Sequence, residues 1–259
     1  MGFENTNWQM TFLFLLFLAV MGFFMKLLSS IISPSSQVKH PFVFWLLLCP
    51  DSHDRLQPLS RLRQILKKYL LIALLFCVGH YFYQILLRDL GNPFFVRSYL
   101  AVPMLFLMSE VLVGFVTLIW LPSGKILPEL HDRPWKSRSL EDFWGRRWNL
   151  WYSDWTRSTI FRPLRKRKPY TALALAFFTS GILHEWVINV PLYLCTGNLY
   201  FGLMMVYFVG QFFGITVERR YFRNRKYARV FFWFCIIGPI PFVIHEGLLR
   251  TMHLWFDSY

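Results

Sequence analysis

Apolar residues run through this chain in long stretches, separated by basic connections rich in aromatic residues. Six stretches, about 9–32, 69–87, 98–121, 170–190, 198–218 and 230–249, reach the roughly 20 residues that an α-helix needs to cross a hydrocarbon core. Within lipid no water satisfies an open backbone, so helices are the expected form for such runs. A seventh stretch, Pro41 to Pro50, is too short to cross and is expected to be re-entrant or interfacial. The predicted fold is an all-α polytopic membrane protein, a single membrane domain over 1–259, with about six transmembrane helices and a loop over 122–169. Composition agrees, since 55% of the 259 residues are hydrophobic and 20% aromatic.

The net charge of +14 is more informative by position than by sum. A basic total alone would suit a nucleic-acid partner, but here the cations sort against the spans. Of the 28 lysines and arginines, 24 fall in the first, third and fifth connections, and the third, from Lys125 to Lys168, holds twelve. The positive-inside rule places those three connections in the cytosol and both termini on the opposite side, lumenal if the membrane is the endoplasmic reticulum. The first stretch lacks a basic leader and a small-residue cleavage site, so it reads as a retained signal-anchor. The four cysteines are scattered without CxxC pairing, which indicates neither a zinc site nor a disulfide framework.

The long third connection contains Trp144, Trp148, Trp151 and Trp155. At ~100° per residue these rings share one face of a helix within about 60°, while Arg146, Asn149, Ser153 and Arg157 fall opposite. An amphipathic helix lying in the cytosolic interface is predicted, because indoles favour the headgroup level. Asn149 on its polar face is a candidate hydrogen-bond donor. The cations from Arg162 to Lys168 suit anionic lipid headgroups, or the phosphates of an anionic cosubstrate.

Ionisable side chains at membrane depth are costly and mark sites or helix pairings. His80, Glu110, His184 and His245 fall inside the stretches, and Ile182-Leu183-His184-Glu185 is echoed by Val243-Ile244-His245-Glu246. The spacing is not that of a metal site: there is no His-Glu-x-x-His, and adjacent His and Glu point ~100° apart on a helix. A buried neutral imidazole is suited to act as a general base, taking a proton from an alcohol that attacks an activated acyl group. Asn149 would then orient the donor or stabilise the oxyanion. The obstacle is depth, since Asn149 lies in a cytosolic loop and His184 past the midplane of the fourth span. Bare lipid binding or transport without turnover, and haem ligation between two histidines, are the competing readings.

The run Phe143-Trp144-Gly145-Arg146-Arg147-Trp148-Asn149, continued by Ser153-Asp154 and Arg162-Pro163, together with Ser180-Gly181-Ile182-Leu183-His184-Glu185, resembles the signature of the wax synthase-like branch of the membrane-bound O-acyltransferases. The resemblance covers about 143–186. It implies an arched helical bundle with a tunnel, acyl-CoA entering from the cytosol as cosubstrate, no permanently bound cofactor and no metal. It matches His184 to the family's catalytic histidine and Asn149 to its asparagine or aspartate, with Arg146, Arg147 and Trp148 as CoA-side candidates. The acceptor it implies is a hydrophobic alcohol, either a fatty alcohol or a terpenoid or polycyclic hydroxyl. Members of the family are usually longer, with more than six helices.

Overall fold

The computed structural model describes residues 3–32, 59–89, 94–120, 128–222, 227–252 and 254. The stretch 41–50 lies outside the described residues. Every regular element among the described residues is helical. Four helical segments are long and apolar enough to cross a membrane: Trp8–Ser29, Arg61–Leu87, Phe94–Ile119 and Pro169–Thr196. They coincide with the first four expected spans.

The chain divides into two compact units. One contains α1 (Phe3–Ile32) and the chain from His131 onward. The other contains α2 (Leu59–Asp89) and α3 (Phe94–Trp120), which pack side by side. In this second unit Lys68 Nζ pairs with Glu129 at 2.9 Å, and Gln84 Nε2 donates to His80 Nδ1 at 3.2 Å within α2. His80 is thus bonded within its own helix.

In the first unit α4 (Leu140–Arg146) and α5 (Leu150–Thr156) come from the motif loop, and α6 (Pro169–His184) starts on a proline, where no amide is needed. α6 continues through a wide π turn, Glu185–Asn189, into α7 (Val190–Thr196). Pro191 accounts for that widening: it lacks an N–H, and its ring would strike the carbonyl four residues back. A second π turn, Arg157–Phe161, precedes Pro163 in the same way.

The fifth and sixth expected spans are shorter elements. α8 (Leu203–Val217) has 15 residues, α9 (Ala228–Ile237) ends at Gly238-Pro239, and the chain resumes as α10 (Ile240–Val243) and α11 (Glu246–Thr251). The core joins Leu140 and Phe143 of α4, Leu173 and Phe177 of α6, Tyr207, Phe208 and Ile215 of α8, and Phe232 and Ile236 of α9.

The tryptophan segment departs from the expected single interfacial helix. It breaks at Asn149, whose φ of 43° is left-handed, and the two short helices fold back on each other. Ser153 Oγ donates to the Gly145 carbonyl at 3.1 Å and so ties α5 to α4. The rings turn inward. Trp144 meets Phe177 edge-on at 5.7 Å, and its indole N–H donates to Gln211 at 3.1 Å. Trp148 stacks on Phe143, and Trp155 donates to the Met25 carbonyl of α1 at 2.8 Å. A helical aromatic stripe marks a face that avoids water, and here protein covers that face in place of headgroups.

Glu218, just past α8, anchors the start of this segment. Its carboxylate accepts the Leu140 amide at 2.9 and 3.1 Å, and Arg219 pairs with Glu141 at 3.0 Å. Leu140 is fully buried, so its amide has no substitute partner in solvent. Glu218→Ala is expected to cost about 1–3 kcal/mol, the penalty of an orphaned buried amide. Thermal unfolding followed by fluorescence-detected gel filtration should fall by several degrees for this variant and by clearly less for Glu218→Gln, which keeps an acceptor.

Candidate active site

His184 lies on the inward face of α6, below Phe177 and Ser180. Its Nδ1 is 2.7 Å from the carbonyl oxygen of Ser180, one turn earlier. A carbonyl can only accept, so Nδ1 carries the proton, and the neutral ring presents Nε2 with its lone pair. The ring rests on Phe208 of α8 at 4.4 Å between centroids. The close approach of α8 depends on Gly181, where a Cβ would come within 2.8 Å of Met205 Sδ and 3.3 Å of Met205 Cα. The helical segment runs from Pro169 to Thr196, and His184 stands near its middle.

The neighbouring Glu185 is buried and turned away from His184. Its Oε1 accepts the amides of Gly202 and Met205 at 2.9 and 3.1 Å, and its Oε2 accepts Asn189 Nδ2. These amides belong to the first turn of α8, where helical N–H groups lack internal partners and the helix dipole favours an anion. Glu185 therefore fixes α8, and with it Phe208, relative to His184.

Asn149 is the N-cap of α5: its Oδ1 accepts the Tyr152 amide at 3.2 Å, which leaves its amide N–H groups as donors. Tyr152 bridges the depth that separates the two motifs in the sequence. Its hydroxyl donates to the Ala176 carbonyl of α6 at 2.8 Å. Burial raises this phenol above its ordinary range, partly opposed by a hydrogen bond with Ser180. Ser180 is the residue whose carbonyl orients His184, about 6 Å further along the helix. The motif loop thus reaches down to one turn from the histidine.

The three arginine and tryptophan candidates separate. Arg147 is committed to structure: its Nε donates to Asp142 at 2.8 Å and its Nη1 to the Asp132 carbonyl at 3.3 Å. The bond to Asp142 raises its guanidinium above its ordinary value. Trp148 packs between Phe143 and His131. Arg146 is exposed and lines a cavity of about 980 Å³ with Arg138, Tyr170, Arg219 and Arg220.

His80 and Glu110 belong to the other unit, whereas His245 shares the unit of His184. His245 interrupts the sixth expected span as the N-cap of α11 and stacks on Tyr200 at 5.0 Å. Among the described residues no group of three or more His, Cys, Asp or Glu is arranged to hold a metal ion. The roles of Ser180, Phe208, Tyr152 and Glu185 were not singled out from the sequence. Only Ser180, four residues before His184, had a spacing that reveals its contact.

The apolar helices mark an integral membrane protein. Residues 127–209 match the model of the membrane bound O-acyl transferase family. It is 33% identical over 103 residues to the long-chain-alcohol O-fatty-acyltransferase of Simmondsia chinensis, covering 36% of this chain and 29% of that protein. Over 112 residues it is 30% identical to diacylglycerol O-acyltransferase 1 of Dictyostelium discoideum, covering 42% of this chain and 17% of that protein. Over 100 residues it is 30% identical to acyl-CoA–sterol O-acyltransferase 1 of Arabidopsis thaliana, covering 36% and 29%. The chain thus matches less than a third of the length of each of these relatives.

The left-handed backbone at Asn149 separates its structural role from any chemical one. Asn149→Ala loses the cap and the short polar side chain that makes asparagine tolerant of positive φ, while keeping the Cβ, at a cost of about 1–2 kcal/mol. Asn149→Gly keeps the backbone and is expected to lose only a few tenths of a kcal/mol. Thermal midpoints should rank wild type, Gly, then Ala; the reverse order of the two variants would discount the cap.

Proposed function

We propose that this protein is an acyl-CoA-dependent O-acyltransferase whose acceptor is the hydroxyl of a lipophilic alcohol. The observation that carries the reading is the Ser180 carbonyl holding Nδ1–H, so that Nε2 of His184 is free to take a proton. The alcohol oxygen attacks the thioester carbonyl as its proton passes to Nε2. The resulting oxyanion collapses, the C–S bond breaks, and the thiolate takes the proton from the imidazolium to leave as CoA. Asn149, through its amide N–H groups, orients the donor or stabilises the oxyanion.

The cavity bounded by Arg138, Arg146, Arg219 and Arg220 offers cations for the CoA phosphates. Tyr170 on its wall is 14 residues before His184, about 21 Å along the helix. The acyl-bearing arm of CoA would extend along that path. A fatty alcohol and a terpenoid or polycyclic alcohol are both consistent acceptors, and the named substrates of the relatives, long-chain alcohols and sterols, fall in these classes. The charge sorting supports cytosolic basic loops, and the endoplasmic reticulum is the membrane we assign.

Membranes carrying the protein, incubated with radiolabelled acetyl-CoA or palmitoyl-CoA and a panel of lipophilic alcohols, should form labelled ester. His184→Ala should lower the rate at least 10²-fold, the scale of general-base catalysis. Undiminished turnover in that variant would exclude the base, and no ester with any acceptor would favour a lipid-binding role. For orientation, a cysteine in place of Lys136 should react with an impermeant maleimide from the cytosolic side, and one in place of Asn198 should not.

A further inference from the structure

Beyond His184, Asn189 on the same helical segment and His245 at the start of α11 each carry a polar atom that the described residues leave unmatched. Asn189 and His245 are 0% and 2% exposed. Asn189 Nδ2 donates to Glu185 and to the Tyr200 carbonyl, at 3.3 Å for the latter, while its Oδ1 has no partner among the described residues. Its orientation is fixed, because turning the amide would set its oxygen against a carboxylate and a carbonyl. His245 Nδ1 accepts the Leu248 amide at 3.4 Å, so its proton sits on Nε2, and that N–H also has no partner among the described residues. One group is an orphaned acceptor, the other an orphaned donor. Buried polar groups are nearly always satisfied, so such a complementary pair calls for an explanation.

Both residues converge on Tyr200. Asn189 holds its backbone carbonyl, and the His245 ring stacks on its ring at 5.0 Å with an interplanar angle of 7°. Tyr200 sits in a short loop bounded by Gly197 and Gly202, with φ of 71° and 96° and open space around each α-carbon. The two positive-φ glycines turn the chain so that Tyr200 lies against both residues.

We propose that Asn189 and His245 form a polar subsite, covered by Tyr200, that receives a second hydroxyl of the alcohol acceptor. This rests on the acyltransferase reading above. A hydroxyl accepts a bond through its oxygen and donates one through its hydrogen, so one such group satisfies both His245 Nε2–H and Asn189 Oδ1. Asn189 is five residues past His184, roughly 7 Å along the helix, so this contact point is offset from the reacting one. The acceptor class that fits is a lipophilic alcohol with two oxygen functions about that far apart, in preference to a simple fatty alcohol. A trapped water has the same hydrogen-bonding chemistry and is the rival occupant.

The test measures equilibrium binding of radiolabelled hexadecane-1,5-diol and of 1-hexadecanol to purified full-length His184→Ala protein, in which turnover cannot intervene. The diol should bind at least tenfold more tightly than the mono-alcohol. His245→Phe, which keeps the stacking on Tyr200 but removes the N–H, should abolish that preference and leave hexadecanol binding unchanged. His245→Gln, which retains a donor, should restore part of it. Equal binding of the two probes, or a diol preference that survives His245→Phe, overturns the proposal. A changed thermal midpoint with an unchanged preference assigns the pair to a buried water and also overturns it. Binding is read apart from ester formation: diol preference without ester synthesis by wild type would refute the enzyme reading alone, and ester synthesis without diol preference would refute the subsite alone.

Discussion

The close contact of α6 with α8 is the constraint on which the rest of the first unit depends. Gly181 allows it, since any side chain there would press into Met205. Glu185 locks it by accepting the first amides of α8, an interaction strengthened where little water competes. Once the two helices are fixed, Phe208 supports the His184 ring, and the groove they share receives Trp144 from the motif loop. The two halves of the signature, distant in sequence, thereby meet on one pair of helices.

That arrangement answers the problem of depth. A base within the membrane and a donor-binding loop at its surface have little to do with each other if the loop lies flat. Here Asn149 reverses the chain, Trp144 and Tyr152 are drawn inward, and the Tyr152 hydroxyl bonds the same helix that carries His184. The wide π turn after His184 follows from Pro191 and changes which side chains face inward beyond the histidine. It brings Asn189 into the buried layer next to Tyr200 and His245. His184 and Asn189 are thus carried on one helical segment, with Tyr152 bonded to it and His245 linked to Asn189 through Tyr200.

Much of the candidate site was already legible along the chain. An ionisable side chain in a long apolar run is too costly to be incidental, and His184 stood out for that reason. The first four spans followed from length and hydropathy, which are local properties. The sixth run was equally apolar, but Gly238, Pro239 and Pro241 prevent a continuous helix there, and hydropathy does not register that break. The tryptophan spacing correctly marked a face that avoids water. Periodicity alone could not tell whether lipid or protein would cover it, since both are apolar surroundings.

By itself the sequence determined the helical membrane class, the sorting of cations against the spans, and the two motifs that carry His184 and Asn149. Each of these depends on residue type and spacing along a single segment. Only the tertiary structure decided which atoms those motifs use. The proton on His184 Nδ1 is set by a carbonyl one turn away. Glu185 is committed to α8, Arg147 to Asp142, and Leu140 to Glu218 across 78 residues of chain. Hydrogen bonds select partners by distance and angle in space, and no pattern along the chain encodes that selection.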